Sequence, residues 1–211
     1  MYKNLEFNIY NGPGTSQGGI DHMIRNLSSF DNANINLIGP LDFKDLDILL
    51  RCDVFMILGG KDTPYTQYLN GKPNLIIKNY VMNGGNFLGI CAGAYYASSK
   101  VVFAKNTDQE IIGDRELKFY EGICTGPILA KYYYNSKRGA RAAQIGVTNF
   151  LSQNVCNTYM HFNGGGAFVD AEKYKNVEIL ARYLDIKNSP AAIIKINYGN
   201  GKVILSGVHF E

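Results

Sequence analysis

Phe87-Leu88-Gly89-Ile90-Cys91-Ala92-Gly93-Ala94-Tyr95-Tyr96-Ala97 is an apolar run that passes through Gly-x-Cys-x-Gly into small, helix-compatible residues. It reads as a buried strand that ends in a sharp turn, with a helix beginning immediately after it. A cysteine at such a turn is the pattern of a nucleophile elbow, in which the flanking glycines are needed because a side chain there would strike neighbouring backbone. The following helix is expected to aim its positive N-terminus at the sulfur and favour the thiolate, the reactive form. The competing reading of Cys91 is a buried cysteine beside a tight turn.

On either side of this stretch, apolar runs alternate with glycine clusters. Leu5 to Tyr10 reads as a strand, Asn11-Gly-Pro-Gly-Thr-Ser-Gln-Gly-Gly as a loop, and Ile20, Met23, Ile24 and Leu27 recur at helical spacing. Ile35 to Ile38 follows as a short strand, Phe43 to Leu50 as a short helix, and Val54 to Leu58 as a strand halted by Gly59-Gly60-Lys61-Asp62-Thr63-Pro64. A helix is expected from Pro73 to the Asn83-Gly84-Gly85 stop, and then the strand Asn86 to Ile90. Near-continuous apolar strands separated by helices predict a mostly parallel sheet with helices on both faces, an α/β domain of the flavodoxin-like or Rossmann-like kind. The second half reads as strands: Ile123 onward, Ala143 to Val147, Val155 to Phe162, Val177 to Tyr183, Ala191 to Asn197 and Lys202 to Val208. Tyr198-Gly199-Asn200-Gly201 is a hairpin signal joining the last two.

The 211 residues are 46% hydrophobic, with a formal net charge of +3 and no internal repeat or linker, which reads as one domain over residues 1–211. Lysines and arginines are scattered, so no nucleic-acid partner is expected. No apolar run approaches the ~20 residues of a membrane span and the N-terminus is charged, so neither export nor a membrane partner is expected. Four isolated cysteines, Cys52, Cys91, Cys124 and Cys156, fit reduced thiols in a cytoplasmic protein and predict neither a disulfide framework nor a metal site.

A thiolate that performs acyl transfer needs a base, and the histidines are His22, His161 and His209. His209 is favoured: it follows the apolar strand Val203 to Val208 and precedes Glu211, a carboxylate placed to orient its ring. His22 is expected to be solvated or capping, and His161 to line a pocket or sit satisfied in the core. Backbone N–H groups at Gly60, after a central strand, and at Ala92, next after the cysteine, are candidates for an oxyanion hole. Asn11-Gly12-Pro13-Gly14-Thr15-Ser16 lacks the spacing of a phosphate loop, and no cofactor is expected.

Gly89-Ile90-Cys91-Ala92-Gly93, with Gly59-Gly60 before it and His209-x-Glu211 after it, resembles the class I glutamine amidotransferase superfamily. Tyr10-Asn-Gly-Pro-Gly-Thr-Ser, Gly59-Gly-Lys-Asp-Thr-Pro-Tyr, Phe87-Leu-Gly-Ile-Cys-Ala-Gly-Ala-Tyr-Tyr, Tyr134-Asn-Ser and Phe162-Asn-Gly-Gly-Gly-Ala-Phe resemble, more closely, the amidotransferase-like domain at the N-terminus of biotin-protein ligases. The resemblance implies Cys91 as nucleophile, His209 as base, Glu211 as orienting acid, Gly60 and Ala92 at the oxyanion, and substrate contacts at Gly59, Tyr95, Asn163 and Gly164. It implies a small-molecule amide or acyl substrate, and a partner protein if ammonia is to be used.

Two departures stand out. Tyr95 occupies the place where glutamine-hydrolysing members usually carry Gln, and Phe210 the place where they usually carry Pro. The Gly-Arg-Gly run of biotin ligases is absent, so biotin ligation is not expected. A second function class is a non-catalytic ligand-binding or regulatory module, with Tyr95, Tyr96, Tyr159 and Phe162 as a recognition surface. A third, the cysteine-protease branch of the superfamily, usually carries His after the nucleophile, and Ala92 argues against it. Glu211 is the last residue written, where chains ordinarily fray, so either a trimmed sequence or a loosely held acid is expected.

Overall fold

The computed structural model describes residues 4–45, 47–134, 136–148 and 155–211. Asn135, the middle of the Tyr134-Asn-Ser motif, lies outside the described residues. The chain opens as strand β1 (Leu5–Tyr10), helix α1 (Gln17–Leu27), β2 (Ala33–Ile38) and β3 (Val54–Ile57). It continues through α2 (Asp62–Leu69), α3 (Lys72–Met82), β4 (Asn86–Ile90) and α4 (Ala92–Tyr96). The second half contains β5 (Ser98–Phe103), β6 (Ile111–Asp114), β7 (Tyr120–Gly126), β8 (Arg141–Thr148), β9 (Val155–Phe162) and β10 (Ala167–Phe168). It ends with β11 (Val177–Tyr183), β12 (Ala191–Tyr198) and β13 (Gly201–Ser206).

One sheet runs in the order β2-β1-β3-β4-β13-β12-β10-β7-β5-β6. It is parallel from β2 to β13. Beyond β13 its pairs are antiparallel except β5 with β7, and β11, β8 and β9 extend it by a further antiparallel branch from β12. The expected parallel core is therefore the first half together with the last strand, which returns to lie beside β4. The Tyr198–Gly201 hairpin turns as read, with Gly199 at φ 58.

Alternation along the central strands explains how both faces are covered. Phe55 and Ile57 pack with Tyr65, Leu69, Ile76, Ile77 and Val81 of α2 and α3, while Met56 and Leu58 pack with Ile20, Met23 and Leu27 of α1. A third cluster, built on Ala143, Ile145, Phe162, Tyr183 and Ile193, fills the antiparallel half.

Three local expectations are corrected. The helix expected over Phe43 to Leu50 does not form; among the described residues the helical turn there is a 3-10 segment, Pro40–Lys44, held by the Gly39 N–H donating to Asp42 Oδ2 at 2.7 Å. Lys61 to Pro64 ends one element and also begins another, because Pro64 lies in the first turn of α2, where its missing N–H costs no helical bond. The helix after Cys91 is only five residues long. Its dipole is correspondingly small, so the positive partner of the sulfur has to come from elsewhere.

The parallel register brings the C-terminal ends of β3, β4 and β13 level, with Ile57 opposite Gly89 and Gly89 opposite Leu205. Whatever follows each strand is delivered to one edge of the sheet, the usual ligand edge of open α/β folds. Those deliveries are Gly59-Gly60, Cys91 and His209.

Candidate active site

Cys91 occupies the turn between β4 and α4 at φ 50, ψ −105, a conformation that L side chains rarely adopt outside strained functional turns. Its N–H donates to Ser206 O at 2.8 Å, and the Gly93 N–H donates to Leu58 O at 3.2 Å, so the elbow is tied to the strand ends on both sides. The residue is 8% exposed, and its sulfur lies 3.8 Å from Asn163 O.

His209 follows β13, and its N–H donates to His161 O at 2.8 Å. Its Nδ1 is 2.6 Å from Glu211 Oε1, which leaves the other ring nitrogen free of the acid, and the ring and Cys91 both border the bare backbone of Gly59. Burial opposes the charged imidazole. The charge and hydrogen bond of Cys91, reinforced by Glu211, outweigh it and raise the His209 pKa to about 10. Burial likewise opposes the charge on Glu211, and the hydrogen bond and charge of His209 hold its carboxyl below the usual range. The side chain of Glu211 is 2% exposed. Of the two alternatives read from the sequence, a loosely held acid does not apply: Glu211 is sealed against His209.

Gly59 is required by the histidine. A Cβ there would stand 2.8 Å from His209 Cε1 and 3.7 Å from Cys91 Cβ, so the imidazole lies across the bare backbone. Gly60 follows at φ 143, latched to the first loop by Ser16 N–H to Gly59 O and Lys61 N–H to Gly14 O, both 2.8 Å. The Asn11–Ser16 loop is therefore a structural clasp on the strand end. Among the described residues, the N–H groups of Gly60 and Ala92 have no protein acceptor.

A cavity of about 600 Å³ opens over these atoms. Every site residue expected from the sequence lines it: Gly59, Gly60, Cys91, Ala92, Tyr95, Asn163, Gly164, His209 and Glu211. Tyr95 is 3% exposed, its hydroxyl donates to Gly164 O at 3.2 Å, and its ring meets Phe103 edge-on at 5.6 Å. Its direct effect is thus to hold the Asn163-Gly164 turn over the sulfur. Asn163 Oδ1 is buried without a protein partner.

His161, expected in the pocket or the core, is in the pocket; its ring is 5.5 Å from that of His209, and burial followed by the charge of His209 lowers its pKa. His22 lines the same cavity. The aromatic recognition surface does not form, because Tyr96 and Phe162 are core residues while Tyr159 is 68% exposed on β9, away from the cavity. Sequence reasoning missed Lys61 and Lys137 as cavity residues, along with the wall of Val101, Phe103, Ile111 and Tyr132.

The sequence matches the family model of the biotin-protein ligase N-terminal region over residues 5–211. The chain belongs to the biotin-protein ligase N-terminal family. It is 35% identical over 212 residues to the biotin–protein ligase of Schizosaccharomyces pombe, covering 96% of this chain and 33% of that protein. It is 38% identical over 159 residues to an uncharacterized protein of Chlamydia muridarum, covering 75% of this chain and 60% of that one. The chain thus spans between a third and three fifths of the length of these relatives. Among solved structures it is similar to a Thermoplasma acidophilum protein described as belonging to GMP synthase, with TM-score 0.57, 11% identity and coverage of 99% of this chain and 85% of that one. A ThuA-like protein from Bacteroides uniformis gives TM-score 0.57 and 14% identity, with 98% and 82% coverage. At these identities the likeness concerns the fold. No helix among the described residues is long and apolar enough to cross a membrane.

Proposed function

We propose that this family member is a cysteine-dependent amide hydrolase on a glutamine-amidotransferase-like fold. The observation that carries the reading is that Cys91 and the His209–Glu211 pair border Gly59 together in the lining of one cavity, beside two N–H groups with no protein acceptor among the described residues. Cys91 attacks the amide carbon, and the carbonyl oxygen becomes an oxyanion against the Gly60 and Ala92 N–H groups. His209 gives its proton to the leaving nitrogen, the C–N bond breaks, and ammonia or an amine departs from a thioester. Water, losing a proton to His209, then cleaves the thioester to a carboxylic acid and restores the thiol. The substrate is a small-molecule amide.

Selective alkylation tests the assembled pair. Cys156 is an exposed cysteine and Cys124 a buried one whose pKa burial raises well above its usual value. At pH 6, iodoacetamide is expected to label Cys91 faster than Cys156, read by peptide mass mapping, with His209→Ala slowing Cys91 by about tenfold or more. Equal rates at the two residues, or a Cys91 rate indifferent to His209→Ala, would remove the hydrolase reading. An inert Cys91 would favour the binding-module alternative, with a cavity of this size as its ligand site.

Gly59→Ala separates positioning from folding. The new methyl meets the histidine ring and little else, so hydrolysis is expected to fall about 10²-fold while the melting temperature stays within a few degrees of the parent. Unchanged turnover in a folded Gly59→Ala protein would mean that the ring position does not matter.

A further inference from the structure

The charges around the cavity are unevenly committed. Its two carboxylates are both used internally. Asp62 Oδ2 accepts from Arg115 Nε at 2.8 Å and is 2.7 Å from Nη2, so the buried guanidinium offsets its charge. Glu211 Oε1 is engaged by His209, and its Oε2, although without a protein partner, is closed off from solvent. Each carboxylate thus already stands against a basic side chain of the protein, and neither offers an uncompensated negative charge to a ligand's ammonium.

The cations are differently placed. Lys61 and Lys137 line the cavity at its exposed rim, and among the described residues neither forms an ion pair with a carboxylate. The Lys61 ammonium rests 4.7 Å from the centre of the Tyr134 ring, which also removes that aromatic face as a seat for a cationic ligand. Tyr132 is packed edge-on between Phe103 and Tyr134. Tyr95 has committed its hydroxyl to Gly164. Besides the imidazoles of His22 and His161 and the Gly60 and Ala92 N–H groups, a ligand meets an apolar wall of Val101, Phe103 and Ile111, two ammonium groups at the rim, and the sulfur at the floor.

We infer that the cavity selects an amide that carries a carboxylate and no ammonium, with Lys61 and Lys137 as the specificity residues that bind the anion. This substrate class rests on the hydrolase reading for its amide and on the charge distribution for its acid. A zwitterionic amino-acid amide carries its α-ammonium on the carbon next to its carboxylate, and so brings it beside the two lysine ammonium groups, where like charge costs binding.

Three small amides isolate the two charges. Glutaramate has one carboxylate, glutamine differs from it by an added α-ammonium, and butyramide has neither charge. Binding to the Cys91→Ser protein, followed by calorimetry or ligand-observed NMR, needs no turnover. Glutaramate is expected to bind about tenfold more tightly than either of the others. K61M/K137M is expected to lower glutaramate affinity about tenfold and to leave butyramide unchanged; added salt acts in the same direction as the double substitution.

Equal binding of the three amides, tighter binding of glutamine, a preference that survives K61M/K137M, or binding of none would each overturn the inference. Ammonia release by the parent protein is measured separately. Selective binding without hydrolysis would sink the hydrolase and leave the anion site standing. Hydrolysis without anion preference would do the reverse.

Discussion

Cys91→Ala is expected to abolish amide hydrolysis, by a factor on the order of 10⁴ or more, in a protein that still folds. Alanine bears the same positive φ as cysteine at this position, so the backbone strain of the turn is unchanged and only the sulfur is lost. His209→Ala is expected to cost about as much. The two residues act as one unit: the sulfur attacks and the imidazole that Glu211 orients moves the proton, so removing either leaves the other without a task. The double variant Cys91→Ala/His209→Ala is accordingly expected to be no slower than either single one. Steady-state ammonia release from glutaramate is the measurement. Substantial turnover by Cys91→Ala would eliminate the covalent route, and losses that multiply in the double variant would mean that the two side chains serve separate steps.

Most of what positions this site was legible because strands buried on both faces are written as unbroken apolar runs. Val54 to Ile57 and Phe87 to Ile90 needed no tertiary information, and the residues just beyond strand ends are where parallel α/β sheets carry their chemistry. Cys91, His209, Gly59 and Gly60 are all such residues. The failures have equally local causes. Lys61 to Pro64 is rich in turn-forming residues, and the same residues also suit a helix N-terminus, so α2 was hidden in its own first turn. β5 follows α4 with only Ala97 between them and begins Ser98-Ser99-Lys100, without the alternation that marks a strand. Lys61 and Lys137 belong to separate loops and carry no periodic signal. Only the folded chain brings them to one rim, which is why the charge of the cavity was invisible from the sequence while its nucleophile was not.

Gly93→Ala tests whether the elbow is as tightly built as the close approach of its backbone implies. A Cβ on Gly93 would lie 1.9 Å from Ile57 O and 2.7 Å from Ile57 C, both main-chain atoms of β3 that no side-chain rotation can move aside. The Gly93 N–H is at the same time donated to Leu58 O at 3.2 Å, so relieving the clash means pulling the elbow from the strand and giving up that bond. A loss of about 3 kcal/mol or more is expected, at the upper end for overpacking. For a domain of this size that corresponds to a fall of roughly 6–12 °C in melting temperature. Gly18→Ala is the matched control: it lies in α1, and its Cβ would meet only Ser16 Oγ at 3.9 Å, so alanine there is expected to be neutral or stabilising by up to ~1 kcal/mol. A Gly93→Ala protein that melts with the parent would show that α4 can shift away from β3 at little cost. The fraction that folds is expected to lose selective alkylation at Cys91, because the displacement that admits the methyl also carries the sulfur away from His209.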